Sequence, residues 1–273
     1  MKRVLNLGAG VQSSAVLLMS CAGQLPKFDC AVFADTGWEP KAVYRYLWWL
    51  CEYATSCGIP VHIVSAGNIR ADKLGGGRWA SMPFFTRDPD TGNIGPVRRQ
   101  CTSEYKIKPI ENFIRRELLG LAPRQRAPRE VVVEQYFGIS FDELYRYRRS
   151  KHRFTKFIYP LIDRRITRAE CMEWIESHGF PIPPRSACIG CPFHTNFEWR
   201  RIRRESPAEW AEAVEFDRLI RYTDKINGEV FLHRQCVPLD EADLRSNIER
   251  DAQGGQMLLI DGLRDECEGM CGV

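Results

Sequence analysis

Five stretches of the chain combine residue types that could carry chemistry. The first is Gly8-Ala9-Gly10-Val11-Gln12-Ser13-Ser14, set between the apolar run Val4–Leu7 and a longer one ending at Ala22. A strand that turns on small residues into a helix aims backbone N–H groups at one point. An anion is favoured there, and Ser13 and Ser14 would add donors. A plain strand-to-helix corner has the same pattern. The second stretch, Ala34-Asp35-Thr36-Gly37, closes the next apolar run. Its carboxylate could hold a metal ion or a ribose hydroxyl, or simply cap the following helix.

The third stretch is Arg98–Pro109, where Arg98, Arg99, Lys106 and Lys108 surround Cys101. Cations lower a thiol's pKa and attract phosphate; a solvated basic face beside an inert thiol is the alternative. The fourth is Ser186–His194, with Cys188 and Cys191 two residues apart around Ile189-Gly190. Two thiolates from one turn can grip a metal. A redox dithiol, a zinc site and an iron–sulfur cluster that adds the distant Cys101 all remain open on spacing. Cys267 and Cys271 form the other close pair. The fifth is positive charge mixed with aromatics. Tyr145, Tyr147 and Phe154 lie among Arg146, Arg148, Arg149, Lys151, Arg153 and Lys156, and Trp199 precedes Arg200, Arg201, Arg203 and Arg204. Such mixtures suit a phosphate backbone with stacked bases, or are basic helix faces balanced by nearby glutamates.

The elements needed to position these groups follow from periodicity. Val4–Leu7, Ala31–Ala34 and Val61–Val64 are expected strands, separated by helices over Gln12–Ala22 and from Pro40 to Gly58. Val43, Leu47, Leu50, Cys51 and Ala54 share one face of the second helix. Strand–helix alternation of this kind predicts a parallel sheet with crossover helices, which bind ligands at the carboxyl ends of the strands. Gly75–Gly95 is expected to be a loop, Pro109–Leu119 a helix, and Val131–Phe137 a further strand. Thr167/Glu170 and Ser206/Glu209 have the spacing of helix-opening capping boxes.

Bulk properties narrow the class. The 273 residues are 44% hydrophobic and 27% charged, which predicts a soluble globular chain with a real core. A net charge of +4 is too small to announce a nucleic-acid binder, so local clustering matters more. No apolar run is long enough to span a bilayer. Lys2-Arg3 before an apolar segment, with Leu18-Met19-Ser20-Cys21 following, loosely resembles an export signal. Asn6, Gln12, Ser13 and Ser14 interrupt it, and the cytoplasm is the expected compartment. In a reducing cytosol, grouped thiols among the 11 cysteines point to metal or catalysis rather than to disulfides. Cys21, Cys30, Cys51, Cys57 and Cys171 are expected as small buried hydrophobes. Cys236 is left undecided, and His194 and His233 are expected in structural roles.

In order along the chain, "GAGVQSSAVLL", "FADTGWEPKAVYRYL", "CTSEYKIKPI", "FGISFDELYRYR", "YPLIDRRITRAECMEWIESHGFPIPP" and "CIGC" resemble the motifs of the phosphoadenosine phosphosulfate (PAPS) reductase-like branch of the adenine nucleotide alpha hydrolase, or PP-loop, superfamily. The resemblance covers roughly Met1 to His194. It implies an α/β fold with a doubly wound, mostly parallel sheet and helices on both faces. The nucleotide-binding domain would span 1–165, and a helical, Cys-containing region 166–273 would pack on it. It further implies ATP or a sulfated adenosine nucleotide, with Mg2+, over Gly8, Gly10, Gln12, Ser13 and Ser14. Asp35, Thr36, Gly37 and Arg146 would lie nearby, and the adenine against Val64–Gly67. A [4Fe-4S] cluster on Cys101, Cys188 and Cys191 is implied, with Cys267, Cys271, Cys236 or an open iron as the fourth position. Gln12 stands where the family's loop usually has Asp, and Gln100 where cluster-bearing reductases have a second Cys.

Relatives of this kind thiolate nucleic acids after adenylation or reduce sulfonucleotides. The Arg/aromatic segments favour ATP-activated sulfur transfer to a nucleic acid or nucleobase, with Lys106 and Lys108 stabilising charge and Cys267 carrying sulfur. A PAPS-type sulfonucleotide reductase is the alternative oxidoreductase reading, and an iron–sulfur-stapled nucleic-acid-binding module a third. Expected partners are an adenine nucleotide, a tRNA or DNA substrate, and a sulfur donor or reductant protein, with a homodimer compatible.

Overall fold

The computed structural model describes residues 1–75, 82–223, 226 and 228–245. In chain order the regular elements are β1 (Lys2–Leu7), α1 (Val11–Cys21), β2 (Cys30–Asp35), α2 (Lys41–Ser56), β3 (Val61–Ser65), α3 (Ile69–Leu74), β4 (Phe85–Arg87), β5 (Ile94–Pro96), α4 (Lys108–Phe113), β6 (Val133–Phe137), β7 (Thr155–Ile158), α5 (Pro160–Asp163), α6 (Arg168–Ser177), α7 (Asn196–Glu205), α8 (Pro207–Leu219) and β8 (Val230–Phe231). Wider π-helical turns over Thr102–Ile107 and Ile114–Leu118 flank α4, and a 3-10 turn covers Phe141–Arg146.

The chain divides into two compact units. The first, Met1–Asn68 with Thr102–Ser186, holds a five-stranded sheet in the order β3-β2-β1-β6-β7. Every neighbouring pair in it is parallel, so this unit is α/β. Side-chain alternation assigns the two faces. Leu5, Leu7, Ala31 and Phe33 join one core with residues of α1, α2 and α6. Val4, Cys30, Val32 and Ala34 join another with Ile110 of α4 and Ile114. Each fully buried aliphatic side chain contributes about 1.5–3 kcal/mol. On α2 the buried face is Val43, Tyr46, Leu47, Leu50 and Ala54. Pro40 sits one position earlier than expected, capping α2 rather than starting it. The capping box at α6 forms: Thr167 Oγ1 accepts from the Glu170 N–H, and Glu170 accepts from the Thr167 N–H.

The second unit joins Ile69–Cys101 to the described residues 187–245, whereas the resemblance implied a boundary at 165/166. The cause is physical. Cys171 and Ile175 of α6 bury in the core of the first sheet, while β4 pairs antiparallel with both β5 and β8. That hairpin occupies the second half of the stretch expected to be loop and ends one residue beyond it. Its strands are three residues each, and Asp88 Oδ1 closes the turn by accepting from the Asp90 and Thr91 N–H groups. The second expected capping box is absent. Ser206 makes no side-chain cap on α8, whereas Thr195 caps α7 by accepting from the Glu198 N–H. No helix among the described residues is long and apolar enough to cross a membrane.

Candidate nucleotide site

Strand β1 passes to α1 through Gly8-Ala9-Gly10. The left-handed residue is Ala9, with φ 54°, and neither glycine. A non-glycine residue there costs on the order of 1 kcal/mol. The loop is tied by Ser13, whose Oγ accepts from the Gly8 N–H at 3.1 Å and donates to the Gly10 carbonyl at 3.3 Å. Ser14 is fully buried. A Cβ added to Gly10 would meet the Ser186 Cβ at 3.7 Å, an ordinary contact. The glycine that the geometry demands lies elsewhere. A Cβ on Gly138, just past β6, would come 2.5 Å from the Ser13 N and Cα. Backbone therefore packs on backbone where β6 meets the first turn of α1.

Gln12 and Arg146, both expected at the nucleotide, meet through Glu143. Gln12 Nε2 donates to Glu143 Oε2 at 3.2 Å and to Ser140 Oγ at 3.4 Å, and Arg146 donates to Glu143 Oε1 at 2.6 Å. Arg146 and Glu143 are buried, so each neutralises a charge that solvent reaches only at its edge. This network fixes the 3-10 turn against α1. Glu143 and Ser140 were legible only as part of the FGISFDELYRYR segment.

Asp35 Oδ1 accepts from the Gly37 N–H and from the Tyr44 hydroxyl, each at 2.8 Å. Burial, then the Asp35 carboxylate beside it, pushes the Tyr44 hydroxyl far above its ordinary range. Thr36 Oγ1 donates to Glu39 Oε1. Gly37 has φ +72°, and a Cβ on it would come 2.9 Å from the Asn68 Cα. This second stretch thus builds the turn into α2, with the Asp35 carboxylate tying the turn to Tyr44 rather than capping the helix.

A cleft of about 640 Å³, open solvent included, is lined by Asn6, Leu7, Gly8, Phe33, Ala34, Lys106, Ile107, Ile110, Glu111, Gln135, Phe137 and Phe157. These residues come from the carboxyl ends of β1, β2, β6 and β7 and from the helix that covers that face. The sheet order runs from β1 outward to β2 on one side and β6 on the other. The cleft therefore straddles β1, where the strand order changes direction, a place where open parallel sheets take ligands. The walls are mainly apolar and aromatic, with Phe137 and Phe157 at 4.7 Å between ring centroids. Two buried carboxamides interrupt them. Asn6 donates to the Tyr136 carbonyl at 3.2 Å. Gln135 is buried and its side chain makes no hydrogen bond within the described residues. Lys106 lines the cleft, whereas Lys108 is largely exposed and sits 3.7 Å from Glu104. Val64–Gly67, the expected adenine surface, is not part of the lining. Asn6, Gln135 and Phe137 carried no sequence signal beyond strand periodicity, and the strand that holds Phe157 was not among those expected.

Cys188 and Cys191 lie in one turn, closed by the Cys191 N–H donating to the Cys188 carbonyl at 3.0 Å. Cys101 belongs to the same unit. Among the described residues no three His, Cys, Asp or Glu side chains form a group that could hold a metal ion. Cys267 and Cys271 lie outside the described residues. Cys236 is buried, and its burial pushes the thiol up. Burial also pushes Cys30 up to about 11 and Cys171 up to about 12, fitting inert core thiols. His233 Nε2 lies 3.0 Å from Asn196 Oδ1 while Nδ1 accepts from the Gln235 N–H. Nε2 is therefore the donor, and the ring is held in the packing. His194 Nε2 donates to the Cys188 carbonyl, and its ring meets Trp199 edge-on.

No family model matches the sequence, and no curated protein matches it.

Proposed function

We propose that this chain is a PAPS reductase-like enzyme of the doubly wound PP-loop type that uses an adenine nucleotide to transfer sulfur to a nucleic acid. The observation that carries the nucleotide half is the cleft that straddles β1. It offers aromatic walls to a flat base and, in Gln135, a buried amide free to donate and accept. Phe33, Phe137 and Phe157 exclude water from the base. Lys106 adds a cation to the lining, where phosphates extending toward the Gly8–Gly10 loop would meet it. The sulfur half rests on the ordered motif resemblance.

In this reading the acceptor oxygen attacks the α-phosphate of ATP and pyrophosphate leaves. A sulfur nucleophile then displaces AMP from the adenylated acceptor. Lys106 stabilises the charge that develops on the phosphate during the first step. Glu143 and Arg146 neutralise each other, so their part is to hold the loop rather than to touch phosphate. No step is routed through iron.

The experiment is nucleotide binding by calorimetry, paired with ATP–pyrophosphate exchange in the presence of RNA or DNA. Lys106→Ala is expected to weaken ATP binding tenfold or more, and Gln135→Leu to weaken adenine nucleotides more than pyrophosphate. Absence of nucleotide binding would overturn the reading. Sulfite release from a sulfonucleotide, without exchange, would replace it with the reductase.

A further inference from the structure

In the first unit α1 and α2 pack into one core, and each ends at a cysteine. Cys21 is the last residue of α1. Cys57 caps the carboxyl end of α2, its N–H donating to the Ala54 carbonyl at 3.1 Å and the Tyr53 carbonyl at 3.2 Å. Against the expectation of buried thiols, both are partly exposed. They are also partners, because the Cys21 and Cys57 side chains hydrogen-bond to each other. The Tyr53 hydroxyl is pushed up by burial and then by both sulfurs, so the three groups share one spot. The segment that leaves α1 crosses the same spot. Lys27 Nζ lies 2.7 Å from where a Gly58 Cβ would stand, and its charge reaches the Cys21 sulfur. Among the described residues Lys27 pairs with no carboxylate. Burial, then the bond to Cys57, pushes the Cys21 thiol up to about 12. Cys21 is therefore the donor of the pair, and the Cys57 sulfur is the one that meets an electrophile first. Cys51, also partly exposed on α2, is pushed up by burial and then by Glu52, not by a thiol.

We propose that Cys21 and Cys57 form a redox site, oxidised by a hydroperoxide to a disulfide that joins the ends of α1 and α2. Cys57 Sγ attacks one peroxide oxygen and the O–O bond breaks. Hydroxide leaves, takes up the thiol proton as water, and a sulfenic acid remains on Cys57. Cys21 Sγ then attacks Cys57 Sγ, the S–O bond breaks, and hydroxide departs as water with the Cys21 proton. Two thiols and one peroxide thus give one disulfide and two waters, with two electrons passing from sulfur to oxygen. The Lys27 ammonium favours the thiolate that attacks. Neither thiol lines the cleft, so the inference does not rest on the proposed function.

The test treats the reduced full chain, freed of reductant, with a small excess of hydrogen peroxide. Remaining thiols are alkylated, and linkages are mapped by proteolysis and mass spectrometry. The expected product is a pair of fragments joined through Cys21 and Cys57, two hydrogens lighter than the separate fragments and released by dithiothreitol. It should form in the parent and in Cys51→Ser, and in neither Cys21→Ser nor Cys57→Ser. Without its resolving thiol in Cys21→Ser, Cys57 should take up about tenfold more dimedone, a sulfenic-acid reagent, than in the parent. A parent chain in which Cys21 and Cys57 stay unlinked, a link from Cys57 to Cys51 in their place, or dimedone on Cys21 of Cys57→Ser but not on Cys57 of Cys21→Ser would each overturn the inference. The parent linkage decides even where a variant does not fold. The link forming in a chain that does not bind ATP would sink the proposed enzyme and leave this site standing. Intact ATP binding without the link would do the reverse.

Discussion

Two segments of this chain look alike as strings of letters. Tyr145–Lys156 and Phe197–Arg204 each mix arginines with aromatic residues, and composition alone gives them the same nucleic-acid reading. Folding separates them. In the second, Trp199 is 0% exposed and packs edge-on to His194 and Trp210. Arg201 pairs with Glu198 and Glu205, Arg204 pairs with Glu205, and Arg203 lies over the Trp210 ring. Arg200 donates to the Leu244 carbonyl. That helix is a structural element with its own counter-charges, and the expected stacking aromatic is core. In the first segment Arg146 is drawn inward, to Glu143, and Phe154 is buried in the core of the sheet, while Tyr145 and Tyr147 stay exposed. Whether an arginine-rich stretch can meet a polyanion depends on how many of its neighbours are carboxylates after folding, and on which way its rings face.

The comparison can be broken at several points. Trp199→Ala should cost about 3–5 kcal/mol in a urea titration, as large buried aromatics do, and leave polynucleotide affinity per folded molecule unchanged. Loss of binding with full stability would show that the indole is used outside the core. Arg146→Met should cost a comparable amount, about 3–5 kcal/mol, because the buried Glu143 would lose its counter-charge and keep only the Gln12 amide. A variant as stable as the parent would mean that water reaches the pair.

The smallest effect is expected at Arg204, whose side chain is 76% exposed. Arg204→Ala should leave the urea midpoint at neutral pH within error of the parent. A pH scan is more sensitive. The Arg204 side chain, with Arg201 behind it, holds the Glu205 carboxyl below its usual range. A carboxyl lowered in the folded state contributes at neutral pH, and the contribution is lost as pH falls through the ordinary carboxylate range. Arg204→Ala should therefore reduce the fall in melting temperature between pH 6 and 3. An unchanged profile would assign that slope to other carboxylates.

The site shows the same division. The loop Gly8–Ser14 and the Asp35-Thr36-Gly37 turn were visible because both follow strands whose apolar runs are hard to mistake. Their roles were less visible. Ser13 ties its own loop and Asp35 ties its own turn to Tyr44. Gly138 proved indispensable because Ser13, distant in sequence, packs against it.

By itself the sequence determined the strand–helix alternation of the first 65 residues, the buried face of α2 and the capping box at Thr167, since each follows from spacing within a few turns of chain. Tertiary structure alone decided which ends of the chain pair, as β4 does with β8. It also decided that Asn6, Gln135, Phe137 and Phe157 share one cleft, and that one arginine cluster is neutralised while its twin is not. Those outcomes depend on contacts between residues far apart in the chain, and local periodicity carries no information about them.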